Sequence, residues 1–408
     1  MTRRTNHLLL SIALFLSVGS AAASSPARAG LVDRPLQPYQ SDLLDVAFKA
    51  ASAFPVHPHL KNRARVQELV FDACLELDQP CRARSCAEKM STWRRGAAYA
   101  DLAFYGAQHG AKEEAQKDAD LALRLAREGS ADEDSQDWQV DRIRSKVARV
   151  QLWLGQGEQV ASLSEGLEPS ESGRVDEVRA MVGDEKVIDA TLSALDSAVS
   201  SGNFDATRNA LDASARLYQR FYADAEKRSR IEGKIKGSWE HMPVAVRLDL
   251  MVEMIDSAFD HQDPAKALDL VNEARHFVDD YQWTAETLIQ QAARLAERRF
   301  RAGDHQKARA EADAAWSRYE EEREKIVDIY RAGALRPLAE AYQAFGDKAA
   351  ALKVYKRAVE EGVHNPNSRP RAEDLAATCC SMAVRRVEPD AELRARLLQV
   401  CDGLKEPW

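Results

Sequence analysis

Aromatic side chains are scarce in this sequence: Phe, Trp and Tyr together make up 7% of 408 residues. Alternation of apolar and polar residues at period two, the mark of a half-buried strand, runs nowhere for long. The 19 glycines and 14 prolines fall mostly between periodic segments rather than inside them. A β-sandwich or barrel, with its many short strands and regularly spaced turns, is excluded on these grounds. After the first thirty residues no apolar run approaches the ~18 residues needed to span a bilayer. Positive charge is in deficit, with 57 Lys and Arg against 65 Asp and Glu and a net charge of −8. Nucleic acid and anionic lipid both need a basic footprint, so neither is an expected partner. Catalytic signatures are missing too: no G-x-S-x-G, no Walker loop and no H-E-x-x-H. Gly155-Gln156-Gly157 reads as a turn, and His57-Pro58-His59 as a loop without an obvious third metal ligand. No catalytic, cofactor or metal site is expected.

What is present is helical period. The chain is 45% hydrophobic and 30% charged, enough to bury a sizeable core and stay soluble. Residues 337–362, "PLAEAYQAFGDKAAALKVYKRAVEEG", show the pattern. Leu335, Leu338, Ala339, Tyr342 and Phe345 recur close to every 3.6 residues and form one apolar stripe. Gly346 ends that helix, since glycine enters the left-handed region without steric cost. Asp347 then offers a carboxylate to the free amides of the next helix, whose stripe is Ala351, Leu352, Tyr355, Ala358 and Val359. The segment predicts an αα-hairpin with too little apolar surface to be stable alone.

The same punctuation recurs at Gly303-Asp304, at Gly202-Asn203 and at Asp263-Pro264, and more weakly at Gly110 and Gly157. With Gln262 as the turn position of its unit, the turns stand at 110, 157, 202, 262, 303 and 346. Alanines keep fixed distances from them: Ala103, Ala296 and Ala339 before, and Ala115, Ala267, Ala308, Ala351, Ala122, Ala274, Ala315 and Ala358 after. Side chains this small let neighbouring helices approach closely. The pattern resembles the tetratricopeptide repeat family, most clearly over residues 332–366, where Leu338, Ala339, Tyr342, Ala351, Tyr355 and Ala358 match its signature and Pro366 lies near its closing proline. The intervals between turns depart from that family's 34 residues, so pitch and groove width do not carry over; a HEAT- or armadillo-like solenoid and an irregular bundle are the alternatives. The expected fold class is all-α, an α-solenoid of stacked antiparallel helical hairpins, which the resemblance makes a right-handed superhelix. Stacking buries a continuous core that no single repeat buries alone.

The first 29 residues read as a separate object. Arg3 and Arg4 precede an apolar run from Leu8 to Val18 and then small residues, the three parts of a secretory signal peptide. Cleavage sites compete after Ala23 and after Ala29; use of the second removes Arg3, Arg4 and Arg28 and no acid, taking the net charge from −8 to −11. The mature chain is expected to be periplasmic or secreted, without stable membrane insertion. The expected organisation is residues 1–29 signal peptide, 30–128 an N-terminal helical segment with the first repeat, 129–366 tetratricopeptide-like repeats, and 367–408 C-terminal capping helices.

Six cysteines form two triplets, Cys74, Cys81, Cys86 and Cys379, Cys380, Cys401. Export favours oxidation, and residues equidistant from a helical turn face each other. The expectation is a Cys74–Cys86 disulfide around Pro80 and a bond from Cys401 to Cys380 or Cys379 around Asp390, with Cys86–Cys81 open as an alternative. Neither triplet has metal-type C-x-x-C spacing or a nearby histidine. Staples at both ends suit terminal repeats that have one neighbour each.

The resemblance implies a concave groove lined by the first helix of each hairpin. The turn frame places Asp101, Phe104, Asp256, Phe259, Arg294, Glu297, Phe300, Arg301 and Glu340 there. The three phenylalanines are candidate peptide anchors, or alternatively core residues. The family's clamp for C-terminal carboxylates needs asparagines that these faces lack. The expected function is an exported, non-enzymatic scaffold or adaptor for a protein or peptide partner. The alternative is a helical accessory domain or enzyme acting on envelope polysaccharide, which clustered carboxylates with perturbed pKa values would favour.

Overall fold

The computed structural model describes residues 30–129, 136–240 and 242–408; the expected signal peptide and most of the acidic stretch at 128–137 lie outside the described residues. Among those residues there are nineteen α-helices and no strand. In chain order they are α1 Pro38–Ala53, α2 Val56–Glu76, α3 Pro80–Lys89, α4 Trp93–Gln108, α5 Lys112–Gly129, α6 Asp137–Trp153, α7 Gly157–Ser164, α8 Pro169–Val182, α9 Lys186–Ser201 and α10 Phe204–Arg220. They continue as α11 Ala225–Ser238, α12 Val244–Asp260, α13 Pro264–Asp279, α14 Ala285–Arg301, α15 His305–Glu322, α16 Asp328–Ala344, α17 Lys348–Gly362, α18 Ser368–Val384 and α19 Ala391–Asp402. The fold is an all-α solenoid of antiparallel hairpins.

Local chemistry sets the turns. Gly346 holds φ at +79°, and the Asp347 side chain accepts from the Ala350 amide at 2.9 Å. Asp263 and Asn203 cap α13 and α10 in the same way, at 3.0 and 2.9 Å. Four non-glycine residues have a positive φ, Asp78, Thr92, Gln262 and Arg386. Of these the sequence frame contains only Gln262, so it misses the turns that end α2 and α18. The weak turn marked by Gly157 is centred two residues earlier, on Gly155 at φ +77°.

The opening hairpin is longer than its stripe suggests: α16 starts at Asp328 and runs through Pro337. A proline there removes the amide that would bond to the carbonyl of Gly333. The Gln290 side chain of α14 donates to that carbonyl instead, at 3.0 Å, so the freed group is satisfied by the neighbouring hairpin. All eleven alanines singled out by spacing are buried, none more than 4% exposed.

The even-numbered helices form one layer (α2, α4, α6 and so on to α18), packed directly on one another except α12 and α14, which side-chain ion pairs join, with the odd-numbered helices behind them. One turn of the sequence frame falls out of phase. Gly202-Asn203 joins outer helix α9 to inner helix α10, whereas Gly110, Gln262, Gly303 and Gly346 join inner to outer. The same glycine-and-cap chemistry serves both edges, so the turn alone does not say which edge it belongs to.

The row of hairpins closes on itself. α1 packs along α18, and α2 also packs against it. The Gln40 side chain of α1 donates to the Ala383 carbonyl at 2.8 Å in a buried bond, and Phe54 meets Trp408 with ring centroids 5.1 Å apart. A single apolar core accordingly runs from Ile289–Cys401 into Leu43–Val150, while a second core fills Ala180–Val278. A small third cluster, Ala148, Val160 and Val175, lies between their sequence ranges, and Leu295 of α14 belongs to the second core. The expected terminal repeats with one neighbour each do not occur: the first and last hairpins are each other's second neighbour.

Candidate binding surface

The inner wall is built by alternation. Each even-numbered helix buries its alanine and leucine stripe against the next hairpin and leaves a polar stripe facing the ring axis. The direction of that stripe is set by contacts between helices two places apart in the layer. Arg385 of α18 reaches past α16 to Glu297 of α14 at 2.8 Å, while also binding Glu340 of α16 at 2.8 Å. Such convergence occurs on a concave wall; on a convex one the side chains diverge.

All nine residues expected in the groove lie on inner helices. The six charged ones are cross-links between helices. Asp101 of α4 pairs with Lys146 and, at 3.2 Å, with Arg149, both of α6. Asp256 of α12 takes Arg298 of α14 at 2.7 Å, with Arg301 at 3.6 Å. Arg294 binds Asp249 at 3.1 Å. Glu297 and Glu340 share Arg385. Phe104 sits against Trp153 under the Arg149 guanidinium, Phe259 under Arg301 at 4.1 Å, and Phe300 against Phe345 at 4.7 Å. The three phenylalanines are half-buried between neighbouring hairpins.

The belt continues through residues the sequence frame did not select. Glu68–Arg94 joins α2 to α4, Arg142–Glu171 joins α6 to α8 at 2.6 Å, and Arg216 reaches Glu177 of α8 at 3.5 Å and Glu253 of α12 at 3.9 Å. Arg336–Asp374 at 2.9 Å and Arg65–Glu373 at 2.6 Å carry it across α18 to α2. No short motif marks these residues. Their signal is a charge of opposite sign roughly one repeat away, visible only once the inner face of each helix is known.

Enclosure shifts several of these groups. Burial pushes the Glu253 carboxyl up to about 7, against the pull of Arg216 and with help from the like charges of Asp212 and Glu177. Burial likewise lifts Asp212 to about 6 and Glu76 to about 7. It raises Asp72 well above the carboxylate range and lowers the Lys146 ammonium. Yet Asp72 is only partly covered and Glu76 is exposed.

The rims differ from the wall. Of the large apolar side chains that stay exposed, Val56, Phe204, Tyr281, Val327, Ile329 and Tyr330 all stand where an outer helix turns into an inner one. They therefore share one rim. Val327, the most exposed of them at 57%, Ile329 and Tyr330 lie one hairpin from Tyr281.

All six cysteines are free thiols in this structure. Cys74 and Cys86 are both buried, on the packed helices α2 and α3. At the other end Cys379, Cys380 and Cys401 are all buried, the first two on α18 and the third on α19.

No family model matches the chain, and no curated protein matches it in sequence. Among solved structures, that of Ton1535 from Thermococcus onnurineus NA1 aligns over 90% of this chain and 99% of its own at 13% identity, with a TM-score of 0.25. A circular tandem repeat protein with novel repeat topology and enhanced subunit contact surfaces aligns over 89% and 94% at 15% identity, with a TM-score of 0.18. Superpositions this loose carry no argument about the fold or function of this chain, which is described by its own geometry as a helical-repeat solenoid closed end to end.

Proposed function

We propose that this chain is an exported, non-enzymatic scaffold of tetratricopeptide-like character that holds a protein partner through an apolar segment docked on one rim of the ring. The observation that carries the reading is the gathering of Phe204, Tyr281, Val327, Ile329 and Tyr330 on the rim where outer helices turn into inner ones. Exposed apolar side chains grouped on one rim beside a polar wall suit the docking of a protein segment. The inner wall contributes rigidity, its charges being engaged with one another from hairpin to hairpin.

The test is site-directed photocrosslinking in an envelope extract. A crosslinker at Tyr330 or Tyr281 is expected to trap one defined protein, and one at Leu398, on outer helix α19, to trap none. Equal trapping at both positions, or none at either, overturns the reading.

The alternative, a helical accessory domain or enzyme for envelope polysaccharide, is favoured by one observation: the carboxyls of Glu177, Asp212 and Glu253 gather on the inner wall, and two of them are held toward their neutral form. Binding or cleavage of a peptidoglycan fragment that is lost in Glu253→Gln, with no protein trapped at the rim, would establish that reading in place of the first.

A further inference from the structure

A buried carboxylate lies at the rim that exposes Val327 and Ile329. Glu361, in the last turn of outer helix α17, is 1% exposed. Arg323 holds both of its oxygens, Nε to Oε1 at 2.6 Å and Nη2 to Oε2 at 2.9 Å, and Arg357 adds an ion pair at 2.8 Å. Arg323 belongs to the 3₁₀ turn Arg323–Lys325 between α15 and α16, so its bond to α17 fixes that turn to the next hairpin.

Arg331, in the first turn of α16, is less well served. Its Nε donates to the Ile326 carbonyl at 2.9 Å, which anchors it at the turn that exposes Val327. Its terminal nitrogens stand 3.8 Å from Glu361 and 3.7 Å from Glu324, beyond hydrogen-bond distance. Glu324 also pairs with Arg323, yet it is 81% exposed, and pairs so open to water hold weakly. Asp328 is engaged elsewhere, by the Ile329 amide at 2.8 Å and the Asn365 side chain at 3.0 Å. Glu320 stands 3.9 Å from Arg357. With Glu324 in place, the guanidiniums of Arg323, Arg331 and Arg357 face the carboxylates of Glu361, Glu320 and Glu324. With Glu324 turned into solvent, one guanidinium is left without a counter-charge. An exposed glutamate resting on half-buried arginines is an internal stand-in for a carboxylate brought from outside.

We propose that the partner segment docked on this rim carries an acidic side chain beside its apolar residues. The incoming carboxylate displaces Glu324 and pairs with Arg331 and Arg323, while the apolar residues cover Val327 and Ile329, both exposed on the same turn. Arg331 then gains the charge-assisted hydrogen bonds that its present neighbours are too distant to give. Its planar guanidinium suits a carboxylate held by two parallel bonds. Glu324 acts as a filter, because a segment without an acid gains nothing from displacing it. This inference rests on the rim-docking reading and names what the docked segment must carry.

The experiment continues from a photocrosslinker at Tyr281, one hairpin away from these charges. The segment trapped there is mapped by mass spectrometry. It is then made as a labelled synthetic peptide, once in its natural sequence and once with its Asp and Glu changed to Asn and Gln. Binding of both to the full chain is read by fluorescence anisotropy. The natural peptide is expected to bind about tenfold more tightly than the neutralised one, the scale of one charge-assisted pair. Glu324→Ala is expected to tighten the natural peptide by about threefold, since an exposed pair no longer has to be broken. Arg331→Gln is expected to abolish the preference for the acidic peptide. If Arg331→Gln does not fold, Glu324→Ala alone supplies the check, its side chain being mostly in water. Equal binding of the two peptides, a trapped segment without an acidic residue, or a Glu324→Ala chain that binds the natural peptide no more tightly overturns this inference and leaves rim docking standing. Failure to trap any protein at Tyr281 overturns both.

Discussion

Replacing Phe54 with alanine separates a closed ring from an open solenoid. Phe54 ends α1, is 1% exposed, and packs on Trp408, the last residue of the chain. Truncating a buried phenylalanine costs about 3–5 kcal/mol, the lost transfer energy plus the cavity left behind. The ion pairs over the same seam are poor substitutes. Lys49–Asp402 leaves 62% and 64% of its side chains in water, and Arg394–Asp42 leaves 46% and 57%; pairs so exposed are worth about 0–1 kcal/mol each. Apolar burial therefore holds the seam. The assay is native-state amide exchange, which reports opening region by region. If the seam is one packed unit, a loss of about 3 kcal/mol raises exchange by roughly a hundredfold in α18 and α19 as well as in α1 and α2. Lys49→Ala is the control and should change both by less than about fivefold, in line with the small worth of an exposed pair. Faster exchange confined to residues 38–108, with 368–402 unchanged, would refute closure: the first hairpin would then depend only on those that follow it in sequence.

Ala351→Leu forces extra methylenes into a fully buried contact between hairpins and is expected to cost about 1–3 kcal/mol, read as a lowered Tm. Arg385→Met strands Glu297 and Glu340. Its cost should be roughly 2–4 kcal/mol, below that of a fully buried pair because Arg385 keeps a third of its surface in water. Adding Glu297→Gln to that variant should recover part of the loss in a double-mutant cycle; strict additivity would deny the pair. For Glu253 the sign follows from its raised folded-state pKa. The protonated group favours the native state below its unfolded value near 4.3, and that contribution is lost as pH rises through about 7. Glu253→Gln should therefore gain stability relative to the natural chain between pH 5 and 8 in urea titrations, with Arg216, Asp212, Glu177 and Arg208 around it in both. A constant difference across that range would show that Glu253 is ionised throughout.

Much of the fold is legible locally. The alanines marked by spacing are buried, and Asp304, Asp347 and Asp263 cap the helices they precede. These features depend on residues within one turn of each other, which is the range over which sequence pattern speaks. Phase is harder, because the Gly202 turn uses the chemistry of the others on the opposite edge, and Asp78 and Arg386 take the left-handed conformation without a glycine to announce it. The candidate surface was half legible. The turn frame located inner-wall residues such as Asp101 and Glu297, but their partners Lys146 and Arg385 are ordinary charges on helices whose orientation the frame did not fix. Closure left no local trace at all: Gln40 and Ala383 meet across almost the entire chain.

That meeting has a consequence for how the molecule is made. In an open repeat array each unit can settle on the one before it as it emerges from the ribosome or the export channel. Here the apolar face of α1 has its main neighbour in α18, more than three hundred residues downstream. The first of the described helices to be synthesised is among the last to be finished, and the search for its neighbour carries the loop-closure entropy of more than three hundred residues. During that interval Leu43, Leu44 and Phe54 are uncovered, and whatever shields them then, a chaperone or a transient contact with α2, is as much a requirement for the native ring as the contacts that replace it.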